Sequence, residues 1–206
     1  MIQLYHCANA RSFRCLWLLE ELGLPYELHL LEFPPRRTTP DYLAINPLGT
    51  IPYLIDGTAR LSESVAILQY LDSVHGGGRF SFAPGEDAYA SWLNWLHYGE
   101  ATLTTPLTVV LRYRLLEPEE SRNPAVAEAY ERIFLNRLRL ATEQIAATPF
   151  LCGSRFSLAD ISVGYAVLLG RTLGLAEQMG PDIASYWQRL ETRAGFRGAK
   201  ARQKPR

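Results

Sequence analysis

Apolar positions recur at two different spacings along this chain, and the change falls near residue 80. Residues 2–7 form a short apolar run that predicts a buried strand. Residues 12–22 follow a helical spacing, with Phe13, Leu16, Trp17, Leu18, Leu19 and Leu22 apolar and Gly23 and Pro25 as the stop. Residues 26–33 alternate as a second strand. Pro34 to Pro40 is a turn-rich loop, and residues 41–45 a short helical piece. The apolar run 51–55 and residues 58–61 flank an Asp56-Gly57 turn, which predicts a β-hairpin. Ser62-Glu63-Ser64 then opens a helix that reaches Val74, apolar at Val65, Ile67, Leu68 and Leu71. Past Gly76-Gly77-Gly78 the strand pattern disappears. Helical patterns run over roughly 88–116, 125–147, 157–170 and 183–193, and Pro106 is expected to kink the first. The segment 156–161 reads as a helix start: Ser157 caps, Asp160 answers it, and Phe156 and Ile161 form the staple.

Strand-helix-strand-helix-strand-strand-helix is the order of a thioredoxin-like layer of helices on a mixed sheet. The expected organisation is therefore α/β plus all-α: a thioredoxin-like domain over 1–78, a linker over 79–87 and a helical bundle over 88–206. The chain has 206 residues, 48% hydrophobic and 20% charged, which suffices for a substantial core. Its 21 acidic and 21 basic residues cancel, which removes any electrostatic argument for nucleic acid or an anionic membrane. The basic run 193–206 reads as a solvated tail. No apolar stretch approaches the ~20 residues of a membrane span, and the N-terminus lacks the basic start of a signal peptide. Cys7, Cys15 and Cys152 show neither a CxxC nor a metal-binding spacing, which suits a reducing cytoplasm and predicts no metal site.

Pro52 heads the hairpin, a position that tolerates the loss of a ladder donor. The acidic, hydroxylated start of the next helix adds backbone N–H groups suited to a carboxylate-bearing, peptide-like ligand. Asn46-Pro47-Leu48-Gly49-Thr50-Ile51-Pro52-Tyr53-Leu54 followed by Glu63-Ser64-Val65-Ala66-Ile67 closely resembles the glutathione-transferase superfamily, whose pattern is N-P-x-G-x-[VI]-P-x-L and then E-S-x-A-I. Phe156-Ser157-Leu158-Ala159-Asp160 matches an F-S-x-A-D string of its helical domain, so the resemblance runs from Leu4 to about Phe196. It implies a cytoplasmic homodimer that uses glutathione as co-substrate, with no permanently bound cofactor. The implied glutathione site is Thr50, Ile51, Pro52, Glu63 and Ser64. A cis Ile51-Pro52 bond would turn the Ile51 amide and carbonyl outward to pair with the cysteinyl peptide. Ser64 suits the α-carboxylate, and Glu63 the ammonium. Arg36 or Arg37 could reach the glycine carboxylate or remain solvated.

Catalysis would require lowering the thiol pKa from ~8.5. Tyr5-His6-Cys7-Ala8-Asn9-Ala10-Arg11-Ser12-Phe13-Arg14, followed by Leu16-Trp17-Leu18-Leu19-Glu20-Glu21-Leu22-Gly23, is similar to a bacterial and fungal subgroup reading [YH]-H-x-x-N-S-R-S-x-R and L-W-L-L-E-E-L-G. Ala10 stands where that subgroup has its serine, His6 where tyrosine-type enzymes have their phenol, and Arg11 where cysteine-type enzymes have their thiol. Ser12, Asn9 and Arg11 are the expected thiol partners. Cys7 offers a mixed-disulfide alternative.

Trp92, Trp95 and Tyr98 share a helical face, and Trp95-Leu96-His97-Tyr98-Gly99-Glu100 is similar to the subgroup's W-L-H-[FY]-A-E. Tyr98, Arg112 and Tyr113 are the expected contacts of a small hydrophobic electrophile, in a cleft the family places between its domains. Two readings follow. One is a transferase that adds glutathione to an electrophile or uses it to reduce peroxides or disulfides. The other is a glutathione-binding or ligand-carrying protein of the same fold with little chemistry, which Ala10 would favour.

Overall fold

The computed structural model describes residues 1–204, which fall into two compact units. The first joins Met1–Ser81 to the C-terminal segment beginning at Glu191; the second is Phe82–Leu190.

The first unit is built on a mixed four-stranded sheet. Its elements are β1 (Ile2–Cys7), α1 (Phe13–Leu22), β2 (Tyr26–Leu31), a one-turn helix α2 (Pro35–Thr38), β3 (Tyr53–Asp56), β4 (Ala59–Leu61) and α3 (Ser64–Val74). The sheet order is β2-β1-β3-β4, with β1 parallel to β2 and antiparallel to β3. Strand β1 is central, which is why Ile2, Leu4, Tyr5 and Cys7 are all buried. Phe13 through Leu19 of α1 are all buried, and Gly23 closes that helix in the left-handed region at φ 66°.

Helix α9 (Ala194–Arg202) belongs to this unit as well. Phe196 sets its ring edge-on to Trp17 and Phe13, at 5.0 and 5.4 Å between centroids. Arg193 forks onto Glu21 at 2.8 and 2.9 Å. This corrects the solvated-tail expectation for the described part of 193–206, and it differs from a helical domain that runs on to 206. Phe196, Ala199 and Gln203 lie at i, i+3 and i+7, one helical face, and all three are buried. The high density of basic residues on the other face hid that stripe.

The second unit contains α4 (Tyr89–His97), α5 (Thr105–Leu111), α6 (Pro124–Ala147), α7 (Leu158–Thr172) and α8 (Gly180–Glu191). The pattern read as one kinked helix over 88–116 is α4 and α5, each followed by a wide π-helical stretch, at Tyr98–Thr104 and Arg112–Leu116. Pro106 lacks the N–H that would meet the Thr102 carbonyl, and the Arg137 guanidinium meets it instead at 3.2 Å. Gly99 lies so close to α7 that an added Cβ would come 2.7 Å from the Val163 nitrogen. Helix α7, buried from Leu158 to Gly170, forms the centre of this unit. At its start Asp160 accepts from the Ser157 N–H at 2.9 Å and from the Tyr186 hydroxyl at 2.9 Å, and burial pushes its pKa up to about 6.

Candidate functional site

The β3 end of the site begins with the loop before Pro52. Asn46 is buried; its side-chain carbonyl accepts from the Leu48 N–H at 3.2 Å, and its NH2 donates to the Thr50 carbonyl at 2.8 Å. The Tyr42 hydroxyl donates to the same carbonyl at 2.7 Å. Gly49 has φ 59°, and a Cβ there would meet the Arg36 Cβ at 2.7 Å. Both facts require glycine, and the contact brings α2 against the loop. The Ile51-Pro52 bond is cis. Tyr53 pairs with Tyr5, so Ile51 and Pro52 lie beside the C-terminal end of β1. The Ile51 N–H and C=O have no backbone partner among the described residues.

At the start of α3, Glu63 is exposed and extended, and no side chain caps the helix. Its first turn therefore presents amide donors and the positive end of the helix dipole. Ser64 is buried, and its oxygen accepts from the Arg14 guanidinium at 3.3 Å, which leaves its own proton to donate. Arg14 is itself completely buried within α1. That contact ties the start of α3 to α1, so the turn leading into α1 and the start of α3 share one end of the sheet with Ile51. Arg36 and Arg37 are exposed on α2.

The thiol end is the β1–α1 loop, residues 8–12. Asn9 sits in the left-handed region at φ 56°, a conformation asparagine tolerates better than most residues. Its side-chain oxygen accepts from Lys200 and from the Gln203 NH2, both at 2.8 Å, and its N–H donates to the Gln203 carbonyl at 3.0 Å. Ser12 is fully buried: its hydroxyl lies 2.7 Å from His6 Nδ1 and accepts from the Cys7 N–H at 3.3 Å. It is thus turned beneath the loop rather than toward a ligand. Ala10 and Arg11 are partly exposed. Burial pushes the His6 pKa down to about 4, against smaller opposing effects of its bonds to Gln203 and Ser12, so the ring is neutral at neutral pH. Cys7 is wholly buried, its thiol faces the Glu32 carbonyl, and burial pushes its pKa up to about 12. A thiol so held is a poor nucleophile for a mixed disulfide.

The expected electrophile contacts do not gather in one place. Tyr98 lines an open groove of about 500 Å³ on α4 with Tyr89, Leu93, His97 and Thr102. Arg112 and Tyr113 lie roughly 20 Å further along the same run of helix at 1.5 Å per residue. There Arg112 is exposed, paired with Glu117 and set over the Tyr113 ring. Trp92 and Trp95 are core residues.

Comparison with known proteins shows what the chain is similar to. Residues 10–74 match the family model described as glutathione S-transferase, N-terminal domain. The chain is 28% identical to glutathione S-transferase 3 of Schizosaccharomyces pombe, covering 92% of this chain and 82% of that protein. It is 29% identical to glutathione S-transferase GstB of Escherichia coli, over 96% of each. The chain is thus similar, over nearly its whole length, to glutathione S-transferases. Its fold is the glutathione-transferase fold. A glutathione transferase from Methylococcus capsulatus superposes with a TM-score of 0.86 at 24% identity, over 98% of each chain. A glutathione transferase from Phanerochaete chrysosporium, solved in complex with oxidised glutathione, superposes at 0.84 with 26% identity, over 98% of this chain and 96% of that one.

The sequence reading missed Arg14, Lys200 and Gln203. Arg14 carried a signal, a charge among residues whose neighbours on both sides are apolar in α1. Gln203 carried none, because it lies 197 residues from His6 and 194 from Asn9.

Proposed function

We propose that this chain, an enzyme of the glutathione S-transferase type, holds glutathione along one end of its sheet. Ile51 pairs with the cysteinyl peptide, Thr50 and Pro52 shape that edge, and Ser64 and the start of α3 take the γ-glutamyl carboxylate. Glu63 orients the ammonium. The thiol then falls at the β1–α1 loop. The Asn9 side-chain carbonyl accepts from Lys200 of α9 and from Gln203 just past it, which orients the amide, and its NH2 is the proposed donor to the thiolate. Arg11 and the start of α1 add positive potential. Ser12 acts from beneath the loop through Cys7 and His6. The thiolate attacks a small hydrophobic electrophile. We further propose that the protein is a cytoplasmic homodimer; a monomeric mass in sedimentation at micromolar concentration would contradict that state. Among the described residues no helix is long and apolar enough to cross a membrane.

The observation that supports this reading most is convergence. The unpartnered Ile51 backbone, the uncapped start of α3 and the β1–α1 loop share one end of the sheet, through the Tyr5–Tyr53 register and the Arg14–Ser64 contact. The test pairs calorimetry of glutathione binding with conjugation of a generic aryl halide. Binding with turnover is the expected result. Binding without turnover across several electrophiles would favour a carrier that lost its chemistry with Ala10.

A further inference from the structure

Gln203 occupies a position where the polarity of every hydrogen bond is determined. The Asn9 backbone N–H can only donate, so the Gln203 atom 3.0 Å from it is the side-chain oxygen. The same oxygen lies 3.2 Å from His6 Nε2, which must therefore carry the ring proton. His6 Nδ1 is then an acceptor, and the Ser12 hydroxyl 2.7 Å away donates to it. The Ser12 oxygen in turn receives the Cys7 N–H. On the other side, the Gln203 NH2 and the Lys200 ammonium both donate to the Asn9 side-chain oxygen at 2.8 Å. Lysine has no acceptor, so the Asn9 amide orientation is determined as well. Lys200 is held over the Phe13 ring at 5.6 Å, and Gln203 is 6% exposed. One C-terminal residue thus sets the tautomer of His6, the direction of the Ser12 hydroxyl and the orientation of Asn9.

We infer that Gln203, assisted by Lys200, is a positioning residue for the glutathione thiol: from helix α9 it clamps Asn9 in its left-handed conformation with the amide donor end directed away from the clamp. The inference rests on the reading of Asn9 as a thiol partner given above. It assigns a role to a segment whose basic composition otherwise suggests only solubility. It also gives a chain with alanine at the tenth position another way to hold a donor near the sulfur. Neither Gln203 nor Lys200 need touch the ligand.

The test uses the full chain and three variants. Gln203→Met keeps the buried volume and removes both polar ends. Lys200→Met removes one donor to Asn9. Ala199→Gly loosens the same helix without touching the clamp. The readouts are kcat and the glutathione KM with an aryl halide, the thiolate fraction of bound glutathione from its ultraviolet absorbance at neutral pH, and Tm. The expected result for Gln203→Met is about a tenfold loss of kcat and a lower thiolate fraction, corresponding to about one pKa unit, with the glutathione KM little changed. Lys200→Met should show the same split, smaller. Ala199→Gly should lower Tm and leave kcat and thiolate fraction at parental values below the transition. Parental kcat and thiolate fraction in Gln203→Met would overturn the clamp, as would Ala199→Gly reproducing its split. Should Gln203→Met fail to fold, Lys200→Met carries the decision alone. A parent protein that shows no glutathione binding by calorimetry would overturn the site reading itself, and the clamp with it.

Discussion

The two ends of the proposed glutathione site are built in opposite ways. The end that faces the peptide and the γ-glutamyl group comes from one continuous stretch, Asn46 to Ser64. There the loop, the hairpin and the start of α3 follow one another in the chain, and contacts such as Asn46 to Thr50 span four residues. The thiol end is assembled from β1, the loop after it and the last helix, with contacts spanning up to 197 residues. A site encoded locally can tolerate variation elsewhere in the chain. A site assembled at long range depends on a helix whose sequence carries no sign of that dependence. The first end also offers unpaired groups to a ligand, whereas the polar groups of the second are largely turned on one another.

The largest expected effect lies beneath the thiol end. His6 is neutral in the folded protein, with its pKa near 4 rather than the ordinary 6.5. Between those values the unfolded chain binds a proton that the folded one does not. The stability associated with the neutral ring is therefore complete above pH 6.5 and is lost as pH falls toward 4. Asp160 in the second unit runs the other way: its raised pKa makes the folded state bind the extra proton between about 4 and 6, so its contribution falls as pH rises. Comparing the parent with His6→Gln isolates the first term. The stability gap between them should change by about 3 kcal/mol between pH 7 and pH 4, measured by urea unfolding. A gap independent of pH would show that His6 is not held neutral.

Breaking the local end should remove binding without disturbing the loop. Ser64→Ala and Glu63→Ala should each weaken glutathione binding by about 1.5–3 kcal/mol, the range for hydrogen bonds to charged groups, as measured by calorimetry. If both variants bind as the parent does, the γ-glutamyl site lies elsewhere.

The same contrast explains what the sequence made legible. The hairpin, its leading proline, the start of α3 and the Ser157–Asp160 cap are all readable because turn chemistry and capping act within a few residues. Helix α9 was misread because basic composition outweighed a three-position stripe of Phe196, Ala199 and Gln203. Ser12 reads from sequence as a thiolate donor or a plain helix cap alike; the contact of its hydroxyl with His6 at 2.7 Å is visible only in the fold. The two π-helical stretches were not legible either. The first coincides with the close approach of Gly99 to α7 and with Arg137 meeting the carbonyl that Pro106 leaves open, both tertiary facts.

Two smaller effects sharpen the comparison at the thiol end. Ala10→Ser restores a hydroxyl to the partly exposed face of the loop. One added neutral hydrogen bond is worth about 1 kcal/mol, so the thiol pKa of bound glutathione should fall by at most about one unit in an ultraviolet titration. An unchanged titration would place the sulfur away from the tenth residue. The smallest effect belongs to Cys7. Its thiol is buried and held well above neutral, so Cys7→Ala should leave aryl halide conjugation within about twofold of the parent. Abolished turnover would instead favour thiol transfer through Cys7.

The central claim is that glutathione lies along the Ile51 edge with its sulfur at the β1–α1 loop. A crystal structure of the protein with glutathione tests it most directly. The account predicts paired hydrogen bonds between the cysteinyl peptide and Ile51, a carboxylate at Ser64 and the start of α3, and the sulfur within hydrogen-bonding distance of the Asn9 NH2. Glutathione bound at the Ile51 edge but with its sulfur distant from residues 8–12, or bound elsewhere altogether, would contradict it.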